Sequence, residues 1–209
     1  MKRELLFITI CVFCATLSAQ TDTAVQKIME SAIAHFENGG VEMEVNVQYE
    51  DMNFPASIKM DKERFFINEE ESSIWFDGKT QWTLREVDST TNEKELYIGE
   101  PSEEELFSIN PYLLMKNYDN LFFASSSKDA KLPQGAVSCI KLMSRNAKAD
   151  IQDAYIFLDR ENHLVALTTS LSNVQIAISV HSFKNGLRLK DSDFVCKVKD
   201  YDADIIDMR

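Results

Sequence analysis

The chain predicts an α+β fold: about eleven short antiparallel strands meandering in a sheet curled toward a barrel, one helix before them, and a short helical lid. Three patterns carry this. Residues 21–38 repeat apolar side chains with a helical period; from residue 41 the period drops to two; and residues 102–118 interrupt the strands with a helical, apolar stretch.

Thr21 to Asn38 reads as an amphipathic helix. Val25, Ile28, Met29, Ala32, Ile33 and Phe36 recur at intervals of three and four, and Asn38-Gly39-Gly40 stops it. Val41, Met43, Val45, Val47 and Tyr49 then alternate with polar residues, as a half-buried strand requires. Asp51-Met52-Asn53 turns the chain into a second alternating run, Phe54, Ala56, Ile58 and Met60, in which Pro55 points to an edge or bulge. Arg64 to Asn68 is a third strand and Glu69-Glu70-Glu71 a solvated turn. Asp77-Gly78 between Ile74-Phe76 and Trp82-Leu84 predicts a hairpin, because glycine accepts the positive φ of tight turns. Leu96 and Ile98 finish this sub-sheet.

Ser102 followed by Glu105 forms a capping-box pattern that opens a short helix. Asn110-Pro111 opens a second, with Asn as cap and Pro in the first turn, where no backbone donor is needed. Helices of about two turns are unstable alone, so Leu106, Ile109, Leu113, Leu114 and Met115 need tertiary contacts. After a polar loop at 125–131, strands are expected at 137–143, 151–158, 164–171, 174–183, 187–189 and 194–198, with Asn185-Gly186 as a turn and 201–209 as an acidic tail.

Residues 1–20 read as a signal peptide. Lys2 and Arg3 precede an apolar run too short for a membrane span, and Ser18-Ala19-Gln20 places cleavage after Ala19 or Gln20. Cys11 and Cys14 follow large residues, unlike a lipidated cysteine. An exported, periplasmic protein is therefore expected, with residues 21–209 as a single domain and a monomer. A net charge of −12 argues against nucleic acid as a partner. Cys139 and Cys196 remain after the signal. They form either one disulfide or two buried thiols, since both sit in apolar strand-like runs.

Catalytic patterns are sparse. His35, His163 and His181 lie on separate elements, without His-x-x-x-His or Cys-x-x-Cys spacing, so no metal and no cofactor is expected. No Gly-x-Ser-x-Gly elbow or phosphate loop occurs, and six glycines leave little for a nucleotide cradle. Carboxylates are plentiful, but most carboxylates are simply surface groups, so an enzyme is not expected. What the chain has in excess is apolar and aromatic residues on sheet faces. Met43, Val45, Val47, Phe54, Ile58, Met60, Phe65, Trp75 and Trp82 are candidates to point inward, as an ordinary core or as the lining of a cavity that the sheet leaves unfilled. Methionine suits such a lining because it repacks around variable tails. Leu106, Ile109, Leu113 and Leu114 are the candidate lid over a hollow for lipid.

Asp77-Gly78-Lys79-Thr80-Gln81-Trp82 resembles the D-G-K-T-x-W hairpin of LolA-like periplasmic lipoprotein carriers. Glu100 to Leu106, Ser108-Ile109-Asn110-Pro111 and the ending Asp204 to Arg209 resemble the version of that family found in Bacteroidetes-type bacteria. The resemblance implies an unclosed antiparallel β-barrel wrapped on the N-terminal helix, with the helices as lid. It implies a carrier that takes the acyl chains of lipoproteins from an inner-membrane ABC exporter to an outer-membrane acceptor. A departure accompanies it: where the best-known members carry a lid-controlling Arg, this chain has Asp61 or Lys62, with Arg64 displaced, and Leu84 replaces the family's Tyr. Two rivals stand beside the carrier, a sensor of mislocalised lipoproteins with the same fold and a small periplasmic hydrolase.

Overall fold

The computed structural model describes residues 23–50, 52–88, 90–171 and 174–209. The signal-peptide segment lies outside them. Helix α1 (Thr23–Glu37) leads into a meander of six strands, β1 (Gly40–Tyr49), β2 (Met52–Asp61), β3 (Arg64–Asn68), β4 (Ser72–Phe76), β5 (Gln81–Asp88) and β6 (Glu93–Gly99). Three short helices follow, α2 (Glu103–Ile109), α3 (Pro111–Lys116) and α4 (Tyr118–Leu121), where the sequence suggested two. A second meander comprises β7 (Phe122–Ser126), β8 (Ser138–Ser144), β9 (Ile151–Leu158), β10 (Leu164–Leu171) and β11 (Val174–Leu187), and β12 (Asp204–Asp207) ends the chain. No helix among the described residues is long and apolar enough to cross a membrane.

All twelve strands form one sheet in the order β12-β6-β5-β4-β3-β2-β1-β11-β10-β9-β8-β7. The ends of that order, β12 and β7, are not paired with each other, so the barrel is unclosed, as expected. Its two meanders join where β1 pairs antiparallel with β11, Met43 opposite Phe183 and Val47 opposite Ile178. The β4–β5 hairpin forms as Asp77-Gly78 predicts: Gly78 has φ 101°, and Asp77 Oδ1 accepts from the backbone of Lys79 and Thr80 at 2.9 and 2.8 Å.

Several local expectations fail. Asn185-Gly186 does not turn the chain; Gly186 takes φ 72° and β11 continues through it to Leu187. Phe194 to Val198 is not a strand: it runs from one 3-10 turn into the next, with Cys196 and Val198 packed against the outer face of the sheet. Conversely the Ile205-Ile206 tail does pair, parallel, with β6 (Ile205 opposite Leu96).

Alternation along the strands gives the sheet two apolar faces. The concave face packs on α1, whose Val25, Met29, Ala32, Ile33 and Phe36 are buried in the main core. On the convex face of β4–β6, Trp75, Leu84, Leu96 and Ile98 form a separate cluster covered by Cys196, Val198 and Tyr201. Arg64 fastens this C-terminal strap. It bonds Asp191 at 2.6 Å and also Asp61, and its guanidinium lies 4.9 Å from the Phe194 ring centroid.

Candidate functional site

The concave face is built by register. Met43 of β1 stands opposite Ile58 of β2, and Val45 opposite Ala56. Met60 stands opposite Phe65 of β3, which faces Phe76 of β4. Cross-strand partners share a face, so these residues form one apolar floor. Met43, Val45, Ile58, Met60 and Phe65 are at most 3% exposed, and Val47 packs against them partly buried. Ile140 and Leu142 of β8 with Ala154 and Ile156 of β9 complete the floor from the second meander. Their alternation in β8 and β9 is legible in the sequence, which does not say which face points inward.

The roof is α2–α4. Leu114 and Met115 are each 1% exposed and belong to the same cluster as the floor, while Leu106, Ile109 and Leu113 pack on it partly buried. Floor, α1 and roof thus belong to one continuous apolar cluster, in which the roof helix α3 packs on α1, with the Phe36 and Tyr112 ring centroids 6.1 Å apart. The capping signals both hold. Ser102 accepts from Glu105 N at 3.3 Å while Glu105 accepts from Ser102 N at 2.7 Å, and Asn110 Oδ1 accepts from Leu113 N at 3.1 Å.

Polar contacts tie the roof to its surroundings. Asn110 is fully buried, and its Nδ2 donates to the backbone carbonyls of Lys62 and Glu63 in the β2–β3 turn at 3.2 and 3.1 Å. Lys116 Nζ donates to Glu37 Oε1 of α1 at 2.5 Å. That ammonium holds the Glu37 carboxyl below its ordinary value. Tyr112 OH donates to the same carboxylate at 3.4 Å. Lys62, one of the two residues at the place of the family's lid-controlling Arg, thus contributes a carbonyl oxygen, and Arg64 serves the C-terminal strap.

Two recesses open beside this core. One of about 270 Å³ lies between α2 and the β8–β9 turn, with Phe107, Leu121, Phe122 and Ile151 on its apolar wall. The other, about 630 Å³, lies at the β2–β5 end of the concave face. Phe54, expected in the lining, is half-buried there and outside the core cluster.

Both tryptophans correct the reading from sequence. Trp75 pairs with Trp82, and both lie in the convex cluster under the C-terminal strap. Ile74 and Phe76, their neighbours in β4, take the inward positions. The candidate disulfide is also absent. Cys139 and Cys196 are free and buried. Cys139 packs with Phe157 and Ala166 outside β8–β10, whereas Cys196 belongs to the strap and packs on the convex cluster of the other meander. Burial pushes the Cys196 thiol up to about 11 and raises that of Cys139.

The histidines are not all apart. The His35 and His163 rings lie with centroids 4.0 Å apart, His35 Nε2 is 2.8 Å from the Glu161 carbonyl, and His163 Nδ1 is 3.2 Å from Asp159 Oδ2. These contacts join α1 to the β9–β10 turn. No group of three or more His, Cys, Asp or Glu placed to hold a metal occurs among the described residues.

An open antiparallel sheet curled on an apolar helix and roofed by short capped helices defines the class: an unclosed barrel with a helical lid. Within it, the chain belongs to the LolA_2 family, described as outer membrane lipoprotein carrier protein LolA, whose profile matches residues 15–185. No curated protein sequence matches. Among solved structures, an uncharacterized conserved protein from Thermus thermophilus shares 13% identity, covering 88% of this chain and 99% of that one, with TM-score 0.54. The LolA superfamily protein NE2245 from Nitrosomonas europaea is 10% identical, with 83% and 98% covered and TM-score 0.43. The Mycobacterium tuberculosis lipoprotein LppX is 10% identical, with 81% and 100% covered and TM-score 0.48. These likenesses are of fold.

Proposed function

We propose that the protein is a periplasmic carrier that shields lipoprotein acyl chains beneath α2–α4 and moves them from an inner-membrane ABC exporter to an outer-membrane acceptor. Family membership supports the class of cargo. The observation that carries the reading is the burial of Leu114 and Met115 in one cluster with Met43, Met60 and Phe65. A roof packed into the same core as its floor fits a closed, empty carrier, in which acyl chains take the place of the roof side chains.

Magnitudes favour this exchange. Burying a CH₂ is worth about 0.8 kcal/mol, so a chain of about fifteen methylenes gains roughly 12 kcal/mol on leaving water. Undocking a roof held by two or three buried side chains costs about 2 kcal/mol for each, or roughly 5 kcal/mol. The chain wins, and the lid cost lowers net affinity enough for cargo to be handed on.

The test is binding of a fluorescent palmitoyl probe, and co-purification of lipoproteins from periplasm, with wild type, Leu113→Asp, and Leu113→Asp with Leu114→Asp. The half-exposed Leu113 makes the single variant the one expected to stay folded, checked by circular dichroism. Binding by wild type and at least a tenfold loss in the folded variant are expected. Unchanged binding in the variants removes the lid assignment, and no binding by wild type removes the carrier.

A further inference from the structure

The recess of about 270 Å³ between α2 and the β8–β9 turn runs into the main core. Phe122 and Ile151 of its wall are buried core residues, and Phe107 and Leu121 pack on the same core from the roof side. Its rim mixes the carboxylates of Glu103, Glu104 and Asp150 with the cations of Arg145 and Lys148, so no single sign of charge prevails. The helix beside it is the least anchored part of the roof. α2 buries none of its residues fully, whereas α3 buries Pro111, Tyr112, Leu114 and Met115. Among the described residues, the side-chain hydrogen bonds of α2 and its Ser102 cap stay within that helix. Asn110 and Lys116 instead tie α3 to the β2–β3 turn and to α1, and Leu121 O at the end of α4 accepts from Arg145 N at 2.9 Å. A short helix holds only through tertiary contacts, and segments with few buried contacts open most readily. The roof is therefore weakest at α2, where the recess already reaches the core.

We infer that this recess is the mouth through which a single aliphatic chain enters, with Phe107 as its gate and α2 swinging about Asn110 while α3 stays docked. The inference rests on the carrier reading and adds to it a site of entry and an order of events. Size decides the occupant. The recess lies just under the range of small-ligand pockets, about 300 to 1,000 Å³, and is too small for a helix about 10 Å across. The mixed rim selects no head-group charge, so the apolar wall is what recognises the chain. The leading methylenes lie along Leu121, Phe122 and Ile151 and displace the Phe107 ring, which both lines the recess and packs on the core. Asn110 suits the pivot because it ends α2 and caps α3. Once the chain is in, it spreads beneath the roof, and α3 undocks as further chains follow.

The experiment follows uptake of a fluorescent palmitoyl probe by stopped flow in two bridged variants. One carries Glu104→Cys with Lys148→Cys, on the α2 and β8–β9 sides of the recess, joined by a short bismaleimide. The other carries Glu37→Cys with Lys116→Cys, whose bridge fastens α3 to α1. Each is compared with the same protein capped at both new thiols by N-ethylmaleimide, and circular dichroism checks the fold. Cys139 and Cys196 are buried and do not compete for the reagent. The α2 bridge should slow association about tenfold, and the α3 bridge should change it less than roughly twofold, because only the first blocks the motion that admits the chain. In Phe107→Trp, a palmitoyl chain brominated along its length should quench the added emission. Equal slowing by both bridges, no slowing by the α2 bridge, or unquenched emission in Phe107→Trp overturns the inference and leaves the carrier standing. Failure of wild type to take up the probe overturns both.

Discussion

The carboxamide of Asn110, buried at the junction of α2 and α3, donates to the backbone carbonyl of Lys62 at 3.2 Å across 48 residues of chain. The same side chain caps α3 through its oxygen, so one residue both starts the roof helix and latches it to the β2–β3 turn. Asn110→Ala removes a cap, about 1 kcal/mol, together with hydrogen bonds of about 1 kcal/mol each. A loss of about 2 to 3 kcal/mol in urea denaturation is expected. Asn110→Asp separates the roles, because it keeps the cap acceptor and sets a carboxylate against the carbonyls of Lys62 and Glu63. Hydrogen exchange across residues 103–121 should then speed up while the sheet stays protected. Unchanged exchange in that variant would show that the latch does not hold the roof.

Trp75 and Trp82 are the only tryptophans in the chain, and both lie on the convex face under the C-terminal strap. Palmitoyl chains brominated along their length quench only fluorophores they touch. Bound beneath the roof, such chains should leave tryptophan emission close to that seen with the unbrominated chain. Strong quenching would place the acyl chains against the convex face and against the site proposed here.

Cys139 and Cys196 are buried thiols on separate patches of the sheet, and burial holds both protonated at neutral pH. A thiol that is neither ionised nor accessible reacts slowly. With residues 21–209 purified, a thiol reagent should label neither residue natively and both in denaturant, with no mass change on reduction. Resistance to labelling in denaturant without reductant would mean that a disulfide had formed.

The roof should loosen in acid. Glu37 is depressed below its ordinary value, chiefly through its hydrogen bond with Lys116 of α3. For a depressed carboxylate the unfolded or undocked state binds the proton more readily. Its stabilisation is complete above the ordinary pKa of about 4.3 and is lost as pH falls through the lower native value. The pair is half exposed, so the effect is small. Hydrogen exchange or probe uptake should show roof opening that rises below about pH 4, and Glu37→Gln should bring the same state to neutral pH. An identical pH profile in wild type and Glu37→Gln would exclude the pair as its source.

Much of the molecule is legible in the residues alone, and the failures are instructive. The spacing of Val25, Met29, Ala32 and Phe36 sets α1, and Ser102, Glu105 and Asn110 place their caps correctly, because a cap is satisfied within three residues of itself. Asp77-Gly78 gives its hairpin for the same reason. Trp75 and Trp82 face outward, against expectation, because alternation says which residues share a face but not which face is concave. Cys139 and Cys196 look alike in sequence, yet they pack on opposite meanders. Phe122 to Ser126 was missed as a strand because a short edge strand flanked by polar residues has no periodicity to read.

By itself the sequence determined α1, most of the strands, the starts of α2 and α3, the Asp77-Gly78 turn and the family likeness of the Asp77–Trp82 hairpin, all of which rest on interactions between near neighbours in the chain. Only the tertiary structure decided that β1 pairs with β11, that β4–β6 turn their aromatic side outward under a C-terminal strap, and that Leu114 and Met115 of the roof join the core cluster of Met43, Met60 and Phe65. Those choices depend on residues as far apart in the chain as Gly40 and Leu187, which pair in β1 and β11. Such contacts form only when burial of shared apolar surface outweighs the entropy of closing long loops, a balance that no local pattern records.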